Sequence, residues 1–256
     1  MLRAVSHCYR AFLVYLLLPF YDKNRLKPYL ITNGEIIMQK KKTHSLLLTV
    51  LLATLSVLYT VLVKQVDVEQ INPNKSEIGF AELNNSVHNF FGVNMIWYHI
   101  TDLLGIIPVL TALIFAIVGA VQLIKHKNIF KIDKSIIVLG CFYIIVIAVY
   151  IFFESFVINY RPILMNGILE PSYPSSHTLM SICLMYAAIT ECKILIKSQK
   201  INRIIRIISY IIIAIIIVGR LISGVHWFTD IIGGILISSA LIMLYRYTLI
   251  ATRIIE

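Results

Sequence analysis

Two histidines stand among residues that can carry out phosphoryl-transfer chemistry. His177 ends the run Pro174-Ser175-Ser176-His177, and His226 lies between Arg220 and Asp230. A carboxylate beside an imidazole keeps the proton on one ring nitrogen and leaves the other free to attack. His226 and Asp230 are spaced i, i+4, so on a helix they would share one face. We therefore predict that His226 is a nucleophile and that Asp230 orients it.

The residues around these histidines can hold an anion. Arg161 and Arg220 can each bind two phosphate oxygens through the guanidinium group. Ser175 and Ser176 precede an apolar stretch, so their backbone N–H groups are predicted at a helix N-terminus, where anions bind well. His177 follows these serines at the same predicted helix N-terminus and can protonate a leaving oxygen. This chemistry requires no metal and no cofactor, and we expect neither.

The arrangement resembles the type-2 phosphatidic acid phosphatase superfamily, which includes bacterial lipid phosphatases and vanadium haloperoxidases. That family has a Lys followed by an Arg-Pro, a Pro-Ser-Gly-His, and a Ser-Arg followed by His and Asp. The chain matches with Arg161-Pro162, with the run ending at His177, and with Arg220, His226 and Asp230. The resemblance implies that His226 forms a phosphohistidine. It also implies that His177 acts as the acid and later activates water.

Three positions depart from the family pattern. Glu154 stands where the family has Lys, Gly219 replaces Ser, and Ser176 replaces Gly. No Lys or Arg lies between Lys134 and Arg161, so nothing nearby in the sequence supplies the missing cation. Glu154 is either a solvated residue at the end of a helix or an ion-pair partner of Arg161, and both interpretations stay open.

The elements that must position these residues are membrane helices. The chain is 59% hydrophobic and 14% charged, with a mean hydropathy of +0.84. A soluble domain needs more polar residues to cover its surface, whereas a bilayer solvates apolar helices. We predict an all-α integral membrane protein with six transmembrane helices, centred on residues 45–63, 103–124, 135–153, 178–196, 204–218 and 228–245.

The charge distribution predicts the orientation of these helices. The net charge is +10, but the basic residues follow the predicted topology and form no nucleic-acid patch. From Lys40 onward, fourteen Lys and Arg residues flank the helices on one side and four on the other. The richer side is expected to be cytoplasmic, with both termini there. The two histidine motifs then face outward.

Two further segments complete the organisation. Residues 1–37 are interpreted as an N-terminal extension, either an interfacial segment or an artefact of start-site choice, and residues 38–256 as the membrane domain. The apolar spacing from Phe80 to Phe91 predicts a short amphipathic helix on the outer surface, between the first two spans. Asp102 is expected to cap the second span.

These expectations describe a multi-pass phosphatase of the cell membrane, in a bacterium, acting on a lipid phosphate or pyrophosphate in the outer leaflet. The resemblance suggests undecaprenyl pyrophosphate, phosphatidylglycerophosphate or phosphatidate as substrate. The Ile- and Lys-rich composition slightly favours the undecaprenyl carrier. A phosphotransferase with the same motifs and a catalytically silent membrane protein remain alternatives. The sequence does not set the oligomeric state.

Overall fold

The computed structural model describes residues 23–70 and 76–255. This part of the chain contains seven α-helices: α1 (Lys23–Gln65), α2 (Ala81–Phe91), α3 (Met95–His126), α4 (Lys134–Ser155), α5 (Ser176–Leu195), α6 (Gln199–Ile222) and α7 (Phe228–Ala251). Two short antiparallel strands, β1 (Glu69–Gln70) and β2 (Glu77–Ile78), follow α1. The predicted all-α class is therefore confirmed.

Six of the described helices are long and apolar enough to cross a membrane, namely the span Gly34–Gln65 within α1 and the helices α3 to α7. Five of them contain a predicted apolar stretch in full, and α5 ends one residue before the predicted end of the stretch 178–196. The helices begin or end beyond these stretches because polar residues at the interface continue the helical hydrogen bonding. The predicted six-span membrane protein is confirmed, whereas the side on which the termini lie stays a prediction.

Local sequence explains where several helices begin. The side chain of Asn94 accepts hydrogen bonds from the backbone N–H groups of Ile96 and Trp97, over 3.1 and 3.2 Å, and so caps α3. Asp102, predicted as that cap, lies two turns inside the helix, so the prediction is wrong. Ser198 caps α6 by accepting from the N–H of Ile201 over 3.4 Å.

The amphipathic helix predicted from Phe80 to Phe91 is confirmed as α2. Its buried Asn84 donates to the hydroxyl of Thr229 and accepts from the backbone N–H of the same residue, over 2.9 and 3.1 Å. Two hydrogen bonds from one side chain therefore hold α2 against the start of α7. Phe90, near the end of α2, is 81% exposed.

The described residues from Ser45 to Ile255 form one compact unit, and the described residues from Lys23 to His44 form another, which is helical. Within the larger unit, α5 packs against α3, α4, α6 and α7. Its buried Leu179 and Cys183 join the main apolar core with Phe142 of α4 and Tyr245 of α7. The central position of α5 fixes the direction of its N-terminus, which carries His177. Of the predicted extension, residues 1–22 lie outside the described part, and the boundary at residue 37 stays a prediction.

Candidate active site

Two hydrogen bonds join the motif segments at one end of the helix bundle. The indole N–H of Trp227 donates to the backbone oxygen of Tyr160 over 2.7 Å, next to Arg161. The backbone N–H of Ser175 donates to the carbonyl oxygen of Asp230 over 3.0 Å. The connection between α4 and α5 is thereby held to the connection between α6 and α7, and the predicted site residues come to the same end of the bundle.

His226 lies immediately before α7 and is buried, with a side chain only 2% exposed. Its Nδ1 atom is 3.2 Å from the carbonyl oxygen of Ser172 and 3.7 Å from Oδ2 of Asp230. The longer distance exceeds that of a direct hydrogen bond, so the contact with Asp230 is one of charge. The predicted common helix face is wrong, because α7 begins only at Phe228 and His226 belongs to the preceding connection.

Asp230 has other hydrogen-bond partners, which explain its position. Oδ2 accepts from the backbone N–H of Trp227 over 2.9 Å, and Oδ1 accepts from the side-chain amide of Asn159 over 3.2 Å. The buried carboxylate therefore closes the first turn of α7 and fixes the connection that contains Asn159. Its negative charge remains close to the imidazole of His226.

The surroundings of His226 favour the neutral ring. Burial lowers the pKa of His226 below its ordinary value, because the charged form loses solvation. The nearby carboxylate of Asp230 raises the pKa, and the positive charges of Arg161 and Arg220 lower it. A neutral imidazole whose Nδ1 is held by a carbonyl oxygen presents Nε2 with a free lone pair. That Nε2 is buried and has no hydrogen-bond partner among the described residues.

Arg161 and Arg220, the two predicted arginines, both have guanidinium nitrogens without a partner among the described residues. The side chain of Arg220 is fully buried, its guanidinium carbon is 5.0 Å from the ring centre of Tyr98, and Nη2 is 3.1 Å from Oδ1 of Asp102. Nε of Arg161 is 3.0 Å from Oε2 of Glu170. Within the described ranges, Nη1 of both arginines and Nε of Arg220 are buried without a partner. Buried unpaired donors are costly, and an anion would satisfy them.

His177 lies in the first turn of α5, as predicted. Its Nε2 atom is 3.2 Å from Oδ1 of Asp102, the same oxygen that Arg220 contacts. Gly105, one turn further along α3, makes room for the ring, because a Cβ atom at that position would lie 2.7 Å from Cδ2 of His177. Helix α3 therefore contributes to the site, although no motif residue lies on it.

The two serines occupy different environments. Ser175 is fully buried, and its N–H is already donated to Asp230, so the predicted use of this amide for phosphate is wrong. The hydroxyl of Ser175 accepts from Thr178 over 3.2 Å. Ser176 begins α5 and lines the cavity next to His226. Helix geometry leaves the first N–H groups of α5 without partners inside the helix, which suits an anion at Ser176.

Glu154 lies in the last turn of α4 and is exposed. It lines the same cavity as Arg161 and His226. Of the two interpretations left open, the ion pair with Arg161 is wrong, because the carboxylate that Arg161 contacts is that of Glu170. The alternative, a solvated residue at the helix end, agrees with the structure.

Two cavities meet at this end of the bundle. The smaller contains Arg161, Ser172, Ser176 and His226. The larger, of about 200 Å³, lies beside His177 and is bounded mainly by Gly105, Pro108 and Val109 of α3 and by Met180 and Ser181 of α5. Tyr150 and Ser176 line both cavities. The polar cavity suits a phosphate, and the adjoining one offers apolar surface to a lipid chain.

Sequence reasoning missed three residues of this site: Asp102, Asn159 and Glu170. Each contacts a motif residue that is distant in the sequence or lies across a loop, so no spacing rule links them. The signal that could have identified Asp102 is its place near the start of an apolar span, because acidic residues in such segments are rare and usually functional. Across residues 23–70 and 76–255, no three His, Cys, Asp or Glu side chains gather as a metal site.

Known proteins share both the motif region and the fold. The model of the PAP2 superfamily matches residues 153–253. The crystal structure of a transmembrane PAP2 type phosphatidylglycerolphosphate phosphatase from Bacillus subtilis is similar, with a TM-score of 0.53 and 15% sequence identity over 78% of this chain and 94% of that one. At this identity the likeness concerns the fold. No curated protein matches the chain. The predicted resemblance is therefore confirmed: residues 153–253 match the PAP2 superfamily model, and the fold is similar to that of a solved transmembrane PAP2-type protein.

Proposed function

We propose that the protein is a lipid phosphatase that hydrolyses a lipid phosphate or pyrophosphate through a phosphohistidine at His226. The observation that carries this proposal is the buried Nε2 of His226, which has no hydrogen-bond partner among residues 23–70 and 76–255 and lies in a cavity that Arg161 also lines. A neutral imidazole facing an arginine-lined cavity is suited to attack on phosphorus. The match of the PAP2 superfamily model to this region supports the same chemistry.

The reaction proceeds in two balanced steps. In the first, Nε2 of His226 forms a bond to phosphorus, the bond from phosphorus to the leaving oxygen breaks, and His177 gives its proton to that oxygen. In the second, water attacks phosphorus, His177 takes a proton from the water, and the bond to His226 breaks to release inorganic phosphate. Arg161 and Arg220 stabilise the charge on the phosphoryl oxygens in both transition states.

Asp230 contributes charge and position rather than a direct hydrogen bond. Its carboxylate lies 3.7 Å from Nδ1 of His226, near enough to stabilise the ring as positive charge develops during attack. Its hydrogen bonds to Trp227 and Asn159 hold it in place while this occurs. We assign to Ser176 the phosphate contact predicted for the serine pair, whereas Ser175 joins α5 to α7.

The substrate is a lipid because the phosphate site continues into the apolar cavity beside His177. A chain in that cavity would lie against Pro108, Val109 and Met180. Undecaprenyl pyrophosphate, phosphatidylglycerophosphate and phosphatidate all have an apolar chain attached to a terminal phosphate group. The relative from Bacillus subtilis is named for phosphatidylglycerophosphate, and the composition of this chain slightly favours the undecaprenyl carrier.

We place the site on the extracytoplasmic side of the cell membrane. Lysine and arginine residues concentrate at the opposite ends of the spans, which the positive-inside rule assigns to the cytoplasm. The substrate then comes from the outer leaflet. This is tested with a membrane-impermeant thiol reagent and a single cysteine placed at Asn166, in the connection between α4 and α5. Labelling in intact cells is expected, and labelling only after the membrane is broken would show the opposite orientation.

The activity is tested by phosphate release from the three lipid phosphates in detergent micelles. We expect release from at least one of them, and a loss of a hundredfold or more in His226→Ala, about the size that general acid–base and nucleophilic groups contribute. Glu82→Gln, at an exposed carboxylate away from the cavities, serves as the matched control and should retain activity. No phosphate release from any of these lipids would support the catalytically silent alternative, whereas transfer to an added alcohol in place of release would support the phosphotransferase.

A further inference from the structure

A single carboxylate oxygen on α3 contacts two residues of the proposed catalytic centre. Oδ1 of Asp102 is 3.2 Å from Nε2 of His177 and 3.1 Å from Nη2 of Arg220. The guanidinium is fully buried, whereas the side chain of Asp102 is 53% exposed, so the carboxylate stands at the edge of the site. Helix α3 packs against both α5 and α6, which carry the other two residues.

These contacts determine which nitrogen of His177 is available for chemistry. An ionised carboxylate only accepts hydrogen bonds, so the hydrogen in this contact lies on Nε2. The remaining nitrogen, Nδ1, is buried and has no hydrogen-bond partner in the described part of the chain. Nδ1 is therefore the ring atom that can give and take a proton during a reaction.

We propose that Asp102 is a positioning residue for His177: it holds the hydrogen on Nε2, so that Nδ1 exchanges the proton with the leaving oxygen and then with water. This proposal rests on the proposed phosphatase function. In the first step the proton on Nδ1 passes to the leaving oxygen, and in the second Nδ1 receives a proton from the attacking water. The negative charge of Asp102 stabilises the ring whenever both nitrogens are protonated.

The same oxygen also fixes Arg220. The arginine uses Nη2 for Asp102 and keeps Nε and Nη1 for the phosphoryl group. One carboxylate thereby sets the relative position of the general acid and of an arginine that binds phosphate. Asp230 plays a different part, because both of its oxygens are bound to Trp227 and Asn159 and its distance from His226 is longer.

The test uses p-nitrophenyl phosphate with the full chain in detergent. Its leaving group departs without a proton, so formation of the phosphoenzyme needs no help from His177, whereas attack by water does. We expect Asp102→Asn to keep a burst of about one p-nitrophenol per enzyme while its steady-state rate falls about tenfold or more. The rate of the burst should fall by less than the steady-state rate, because Arg220 serves both steps whereas His177 is needed only for the second. Asp102→Glu, which restores the charge, should recover part of that rate. Glu82→Gln is the matched control, and thermal unfolding checks that each variant is folded.

Two results would overturn the role of Asp102. One is an unchanged steady-state rate in Asp102→Asn. The other is an equal fall of burst and steady state, with Asp102→Glu no better than Asp102→Asn, since that pattern indicates a general disturbance of the fold. His226→Ala distinguishes a failure of the underlying phosphatase function. A burst that survives in this variant would show that the phosphoenzyme does not form on His226.

Discussion

The backbone N–H of Ser175 donates a hydrogen bond to the carbonyl oxygen of Asp230, over 3.0 Å. The first of these residues precedes α5 and the second lies in the first turn of α7, so the contact joins the two motif segments through main-chain atoms. Main-chain contacts do not depend on side-chain rotamers, and this one fixes where α5 begins relative to His226. The backbone amide of Ser175, which the motif suggested as a phosphate ligand, therefore has a structural role.

Gly219 stands where the related family has Ser, and the structure gives a reason. A Cβ atom at this position would overlap Cγ2 of Thr101 and lie 3.0 Å from the ring of Trp97. We expect Gly219→Ser to lower the free energy of unfolding by about 1–3 kcal/mol through overpacking. Adding Thr101→Ser, which removes that Cγ2 atom, should restore part of the loss. Thermal unfolding in detergent measures both.

Gly140→Ser is the matched control for this prediction, because a Cβ atom there would meet nothing within 4 Å. Equal destabilisation by Gly140→Ser and Gly219→Ser would show that the loss comes from the substitution of glycine in general and not from the close approach of α3 to α6.

Glu154 places a negative charge in the cavity that contains Arg161 and His226. We expect Glu154→Lys to lower KM for a lipid phosphate by about two- to fivefold, which corresponds to an exposed charge contact of at most about 1 kcal/mol. Glu154→Gln, which only removes the repulsion, should fall between wild type and Lys. Glu82→Lys controls for net charge. A KM that follows net charge alone, with the two Lys variants alike, would contradict a local effect.

A buried carboxylate at the other end of α5 is predicted to serve stability rather than catalysis. Oε1 of Glu191 accepts a hydrogen bond of 2.6 Å from the hydroxyl of Tyr245, and the side chain is fully buried. Glu191→Gln keeps an acceptor and should unfold nearly as wild type does. Glu191→Ala leaves the hydroxyl unpaired and should cost about 1–3 kcal/mol. In the Tyr245→Phe background the Ala and Gln variants should differ less; an undiminished difference would count against the hydrogen bond.

The pH dependence of the reaction should report the environment of His226. Its pKa lies below the ordinary value of 6.5 because of burial, to which the charges of Arg161 and Arg220 add, whereas Asp230 acts in the opposite direction. Since only the neutral ring attacks, kcat/KM should stay high as the pH falls to 6.5 and decline only below it. Arg161→Gln should move this acid limb to higher pH, and Asp230→Asn should move it lower.

The same shift links pH to stability. A histidine whose pKa is depressed on folding contributes stability above its unfolded pKa, and this contribution is lost as the pH falls. Thermal unfolding should therefore show a loss of stability below about pH 6.5 that is smaller in His226→Gln, since this side chain does not titrate. An acid limb of kcat/KM above pH 6.5 would contradict the assignment of a depressed pKa to the nucleophile.

The sequence predicted what depends on local pattern. Apolar runs predicted the six spans, the spacing from Phe80 to Phe91 predicted α2, and basic residues at alternate ends predicted that Arg161, His177 and Arg220 share one end of the bundle. These features follow from hydropathy and helix periodicity, which each segment carries by itself.

The rest depends on tertiary contacts. Asp102 meets Arg220 from 118 positions away, and Glu170 meets Arg161 across an irregular connection. Neither contact leaves a repeat or a spacing in the sequence. The geometry of His226 differed from expectation for a similar reason. Helix α7 begins at Phe228, two residues after His226, so Asp230 lies in the helix and His226 does not. Helix ends are set by capping and loop contacts that hydropathy does not show.

The account depends most on a covalent bond between Nε2 of His226 and phosphorus. The direct measurement is rapid acid-free quenching after mixing the protein with a ³²P-labelled lipid phosphate, followed by mass spectrometry of the labelled peptide. The account predicts an acid-labile, alkali-stable phosphoryl group on His226, formed and lost at rates compatible with turnover and absent in His226→Ala. Turnover at the wild-type rate with the label on another residue, or in His226→Ala, would contradict it.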